Sequence, residues 1–390
     1  MSDKGKNVLL ALMTLFIFQE IAFRVSFPIP ELSNFDRAAY TPGGMGEEKI
    51  PFYRNSKWYW ESSLDTNHQF LHKLNQYGFR DGEWKVRKGK DKKRILMVGD
   101  SFLEGIMADQ SQTITEGFKR LDQENKFDVM NLGIMGSGIN SYLEIIADAV
   151  PIFRPDKVCI ILYSNDLSDK FLKIPTDRLV PKFYNKLKPR ALEVISQSKN
   201  GEPLLSRFNF KERPFLPSIK DNNFPWKNEE ILLKHTSKAV SESIKNGTSN
   251  PFKLNQILRE KSGLSNQPNL TGIFPFLINL GKEFNTEFVI YYIPARHQVT
   301  NYYYQYDKAF CKSACPDYLD LTAPFYNQHQ GFLQNLCDKN KINFVDFTAL
   351  IKSKEQANQH LYWNFDDHMK GSGYQLIGQK IYEELSKESN

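Results

Sequence analysis

From Val158 to Tyr163 the chain is apolar at every position, with neither the alternation of a half-exposed strand nor the spacing of a helix face. A run of that kind is a strand covered on both faces, and a parallel sheet between two layers of helices is the architecture that covers it. The same grammar repeats along the chain. Arg94 to Val98, Phe127 to Leu132, Glu287 to Ile293 and Ile342 to Phe347 read as further strands. Between them, Gln112 to Asn125 carries Ile114, Phe118 and Leu121 at helical spacing, and Ser141 to Val150 presents Tyr142, Ile145, Ile146 and Ala149 on one face. Gly272 to Phe284 and Tyr326 to Asp338 read as two more helices, and a last helix shows Tyr374, Ile377, Ile381 and Leu385. Strands alternating with helices predict an α/β fold with a parallel sheet. With 390 residues, 41% of them hydrophobic, the chain can bury a sizeable core.

Two regions stand outside this rhythm. Residues 168–270 are basic, spotted with aromatics and broken by Pro181, Pro189, Pro203, Pro214, Pro217 and Pro225. Between Ser168 and Ser262 there are 19 Lys and Arg against 10 Asp and Glu, although the whole chain carries only +6. This segment is expected to be an insertion beside the carboxyl edge of the sheet, a lid or substrate wall suited to an anionic substrate or lipid headgroups, or else a solvated surface. The modest net charge and the lack of any nucleic-acid signature argue against DNA or RNA as a partner. At the other exception, the N-terminus, Val8 to Phe18 is an apolar run interrupted only by Thr14, preceded by Lys4 and Lys6 and followed by Glu20 and Arg24. Residues 1–26 are expected to form an uncleaved membrane anchor or a signal segment, leaving the rest outside the cytoplasm, anchored or secreted. Residues 27–90 read as a stalk and lead-in, and 91–390 as the domain that carries the chemistry. His68 and His72 within the lead-in are expected on a solvated face. Of the cysteines, Cys159 reads as a buried strand residue, and two of Cys311, Cys315 and Cys337 could pair in an oxidising compartment. No cofactor or metal is expected.

The chemistry is concentrated where strands end. Arg94 to Val98 stops at Gly99-Asp100-Ser101, where a strand-to-helix turn lifts a serine out at the carboxyl edge of the sheet. Phe127 to Leu132 runs into Gly133-Ile-Met-Gly136, whose glycines let backbone amides approach a ligand. Lys157 to Tyr163 ends in Ser164-Asn165-Asp166, and an asparagine there has a side-chain N–H to donate. Near the C-terminus, Asp366 and His368 stand two apart, with Asp367 between them, and His297 comes after the fourth strand as a rival base.

Serine, glycine, asparagine and histidine blocks in this order resemble the SGNH, or GDSL-like, hydrolase superfamily over residues 94–166 and 271–386. The resemblance implies a flavodoxin-like three-layer α/β/α sandwich. It also implies Ser101 as nucleophile, His368 as base, Asp366 as the acid, and an oxyanion hole of the Ser101 and Gly136 amides with Asn165. Two positions depart from the family pattern: Tyr163 stands where a glycine is usual, and Phe365 where the acid is usual. The Asp-x-His spacing is similar to that of membrane-associated proteins of the alginate O-acetyltransferase type. The resemblance thus implies a serine ester hydrolase acting outside the cytoplasm on an acylated glycan or lipid, by removal of a short acyl group such as acetyl. An O-acyltransferase acting on a polysaccharide hydroxyl is the alternative within the same chemistry. A non-catalytic glycan-binding or assembly protein is the alternative outside it.

Overall fold

A computed structural model of the chain describes residues 3–26, 35, 37, 40, 54–61, 65–168, 172–175, 219–220, 270–303, 305–306 and 328–387. Most of the insertion, together with Cys311 and Cys315, lies outside the described residues, so the lid and the pairing of those two cysteines do too. Cys159 and Cys337 are buried thiols.

Five strands form the central sheet: β3 (Lys93–Gly99), β4 (Phe127–Gly133), β5 (Lys157–Tyr163), β7 (Glu287–Ile293) and β8 (Asn343–Asp346), all parallel and ordered β4-β3-β5-β7-β8. By position in the chain this is 2-1-3-4-5, the flavodoxin-like order, in which the chain reverses its direction of travel between β3 and β5. A crevice at the carboxyl ends of those two strands is the natural ligand site of such a sheet. Alternate residues of β3 divide between two cores. Leu96 and Val98 pack with helices α4 (Ile139–Phe153), α5 (Ile273–Phe284) and α7 (Gln328–Asn340). Ile95 and Met97 pack with α3 (Ile114–Leu121), α8 (Thr348–Gln356) and α9 (Gly371–Lys387). The result is an α/β/α sandwich. Two glycines let α3 and α9 cross at backbone contact, since a Cβ at Gly117 or Gly378 would lie 2.7 Å from Gln375 O or 2.0 Å from Ile114 O.

Within the segment read as stalk and lead-in, the described residues pack on the sandwich. Lys57–Glu61 (β1) and Gln69–Lys73 (β2) form an antiparallel hairpin, joined in parallel by Ile219–Lys220 (β6) from the insertion. Trp58, Trp60, Phe70 and Leu74 pack with Ile106, Met107 and Met135, behind the turn that leaves β3. Phe35 and Tyr40 are buried in the first core. Aromatic side chains too large to solvate drive this segment onto the sandwich rather than away from it. His72, expected on a solvated face, is fully buried and stacks on Trp58 with ring centroids 3.9 Å apart. His68 is exposed, beside Asp109.

Near the N-terminus, α1 (Asp3–Ser26) is a single helix whose large apolar side chains from Val8 to Phe18, with Ile21 and Val25, are exposed. The stretch Asp3–Val25, with mean hydropathy 1.9 over its most apolar 18 residues, is long enough to cross a membrane and has the character of an anchor or signal sequence.

Candidate active site

At the end of β3 the backbone turns sharply because Asp100 acts as a helix cap. Its Oδ1 accepts the N–H of Phe102 at 2.9 Å and starts a four-residue helix, α2 (Ser101–Glu104), closed by Gly105 at φ +81°. Ser101 is thereby the first helical residue past the sheet edge. The turn needs room on both sides, and glycine supplies it. A Cβ at Gly99 would sit 2.9 Å from Ile161 O, and one at Gly133 only 2.3 Å from Glu104 N.

His368 reaches this serine from the far end of the chain. Its Nε2 lies 2.8 Å from Ser101 Oγ, and its Nδ1 lies 2.5 Å from Asp366 Oδ1. The same carboxylate oxygen accepts the backbone N–H of His368 at 2.8 Å, so the two-residue spacing works through a tight turn that folds the carboxylate back under the imidazole. Of the histidines that the sequence offered as a base, His368 is the one on Ser101 Oγ; His297 is buried on α6 (Arg296–Val299), after β7. Serine, histidine and aspartate are 8%, 7% and 4% exposed, a site shielded from bulk water yet open at its edge.

Burial alone would lower the pKa of His368, but the charge and hydrogen bond of Asp366, with Asp367 and Asp100 behind them, raise it above its ordinary 6.5. Asp100 responds to the same setting in the carboxylate sense. Burial pushes it up to about 6, against the opposing pull of the Phe102 N–H and His368. Asp366, Asp367 and His368 also bring potential ligand atoms within 4.8 Å of one another. A cation there would compete with the Asp366–His368 hydrogen bond, because both imidazole nitrogens already face partners.

The remaining sequence candidates sit on the strands flanking β3. Gly136 comes after β4 in a left-handed turn, φ +72°, which glycine adopts without penalty. That turn is pinned to β3, with Ile134 N donating to Gly99 O at 3.0 Å and Ser137 Oγ at 3.4 Å. Asn165 lies just past β5, partly exposed, in a 3-10 turn (residues 164–168) held by Asp166, which accepts from Tyr163 N and Tyr142 Oη at 2.9 Å each. Tyr163, the departure from the glycine pattern, is fully buried and stacks on Phe102 at 3.7 Å, and Phe102 in turn lies 5.1 Å from the His368 ring. The bulky residue thus floors the site.

Two residues essential to the shape of the histidine turn carried no signal in the sequence. Arg296 donates from Nη1 to the carbonyls of Trp363, Asn364 and Asp366 at 2.9–3.0 Å. Asp65 accepts the N–H groups of Phe365 and Asp366 at 2.8–3.2 Å. One gathers the carbonyls of the turn and the other its amides, from positions that no local motif connects.

No family model and no curated protein matches the chain. Among solved structures it is similar to a catalytic mutant of Axe2, an acetylxylan esterase from Geobacillus stearothermophilus, at 11% identity and TM-score 0.38, over 77% of this chain and 96% of that one. A lipase/acylhydrolase from Enterococcus faecalis is similar at 11% and 0.35, over 76% and 96%. The psychrotrophic esterase EstA from Pseudoalteromonas sp., in a form inhibited by monoethylphosphonate, is similar at 12% and 0.32, over 76% and 98%. Likenesses this distant say nothing of substrate.

Proposed function

We propose that the protein is a serine ester hydrolase of SGNH type that removes a short acyl group, such as acetyl, from a glycan or lipid outside the cytoplasm. The observation that carries the reading is the continuous hydrogen-bonded chain Ser101 Oγ, His368, Asp366 at the carboxyl edge of the sheet. An alcohol is a weak nucleophile near neutrality and needs a base within hydrogen-bond reach. As Ser101 Oγ bonds to the ester carbonyl carbon, its proton passes to His368 Nε2, and Asp366 holds the imidazole tautomer and stabilises the imidazolium. The tetrahedral oxyanion is assigned to the Ser101 and Gly136 amides and the Asn165 side chain. Collapse breaks the bond to the alkoxide, which leaves with the proton from His368, and the acyl group stays on Ser101. Water repeats the sequence and regenerates the serine. A sugar hydroxyl taking water's place would make the same site an O-acyltransferase, and no specific observation favours that over hydrolysis. The exposed apolar helix α1 supports a location at a membrane or past one.

The purified protein, incubated with p-nitrophenyl acetate with and without a carbohydrate acceptor, tests the reading beside Ser101→Ala. Nitrophenol release without acceptor, abolished in the variant, is the expected result. Turnover unchanged in Ser101→Ala would remove the nucleophile assignment, and acyl-sugar formed at the expense of free acid would replace hydrolysis with transfer.

A further inference from the structure

Glu104 closes the short helix that opens on Ser101, and no step of the mechanism uses it. Its side chain is fully buried. Oε1 accepts from Arg37 Nη1 at 2.9 Å and has His72 Nδ1 at 3.5 Å, while Oε2 accepts from Arg37 Nη2 at 2.8 Å. Oε2 has a second donor, the backbone N–H of Met135 at 2.7 Å. Met135 immediately precedes Gly136, so one carboxylate spans from the nucleophile helix to the glycine turn. Burial alone would favour the neutral acid, yet Arg37 and His72 hold the carboxyl ionised, down to about pKa 2.

A buried ion pair is poor evidence of added stability, since well-packed apolar groups of equal volume often do as well. What apolar groups could not do is accept the Met135 N–H. We propose that Glu104 is a positioning residue that fixes the Gly136 turn against Ser101 by accepting the Met135 N–H. The proposal rests on the assignment of Ser101 and Gly136 to the reaction. An oxyanion donor displaced by about 1 Å loses much of its effect in the transition state and little in substrate binding, so the cost falls on kcat.

The test separates charge from acceptor. Glu104→Asp keeps the charge opposite Arg37 and withdraws the oxygen from Met135. Arg37→Met/Glu104→Gln removes both charges and keeps an acceptor carbonyl at the right reach. With kcat normalised to the folded fraction measured by near-UV circular dichroism, Glu104→Asp is expected to fall about 10- to 100-fold with KM within about threefold. The double variant is expected to stay within about threefold of wild type on the same scale. Full kcat in Glu104→Asp, or loss only in the double variant, would overturn the proposal. Should Glu104→Asp not yield folded protein, the comparison becomes Arg37→Met/Glu104→Gln against Arg37→Met/Glu104→Leu, where equal kcat would overturn it. Ser101→Ala, run alongside, keeps the outcomes distinct: its loss of turnover beside an active Glu104→Asp sinks the positioning role alone, and its retained turnover sinks the nucleophile.

Discussion

Gly133→Ala places a methyl group where α2, the helix that opens on Ser101, already lies. The new Cβ would stand 2.3 Å from Glu104 N, 2.8 Å from Leu103 C and 2.9 Å from Glu104 Cα, all backbone atoms that no rotamer change can clear. Ordinary contact between such atoms begins near about 3.5 Å, so α2 and β4 must separate by about 1 Å. The separation has two costs. Overpacking of this kind destabilises by about 1–3 kcal/mol, which in a domain of this size lowers the melting midpoint by several degrees. Ser101 travels with α2, and a misplacement of about 1 Å costs on the order of 100-fold in rate. Scanning calorimetry and kcat for p-nitrophenyl acetate measure the two separately. Gly82→Ala is the matched control, since a Cβ there meets nothing within 4 Å and is expected to change neither. A Gly133→Ala protein with the melting midpoint and kcat of the control would refute the argument that β4 fixes the height of the nucleophile helix.

The acid and the pH response offer two further checks. Asp366→Asn is expected to lower kcat by about 10⁴-fold through loss of the tautomer-holding partner, and to move the acid limb of the rate profile downward, because the raised pKa of His368 depends on that carboxylate. Activity kept in this variant would transfer the role of acid to Asp367. Asp100 binds its proton up to about pH 6 when folded, against an ordinary 3.8, so its contribution to stability is complete below 3.8 and is lost as pH rises through 6. Asp100→Asn preserves the cap on Phe102 and should therefore gain melting temperature relative to wild type between about pH 4 and 6. Profiles running parallel across that window would contradict the assignment.

Much of this architecture was legible because it is local. The strand from Lys157 to Tyr163 is almost wholly apolar and the one from Glu287 to Ile293 is apolar after its first residue, and both bounds agree to the residue; the helices between strands are marked by their spacing. Ser101, Gly136, Asn165 and His368 stood out because each ends a strand or opens a helix, places where side chains and amides are exposed by geometry. Illegible were the groups whose meaning lies in distant partners. Arg37 reads as one more charge in an irregular stretch until Glu104, 67 residues on, receives it. Asp65 has no pattern at all before it meets the amides of Phe365 and Asp366, 300 residues away. His72 misled for a related reason, since, expected on a solvated face, it lies on a strand and is stacked against the chain's own tryptophan. Charge pairing and aromatic stacking have no period, so a linear reading has nothing to hold.

The burial of Arg37 also sets a tether length. Eleven residue steps separate it from Ser26, the last residue of α1. Fully extended, they span no more than roughly 36–40 Å. If α1 lies in a bilayer, the serine edge of the sandwich can patrol only a shell a few nanometres deep above the headgroups, and under the proposed function an ester must enter that shell to be cleaved. Reach, set by the length of a short run of residues, would then select among targets before any pocket does.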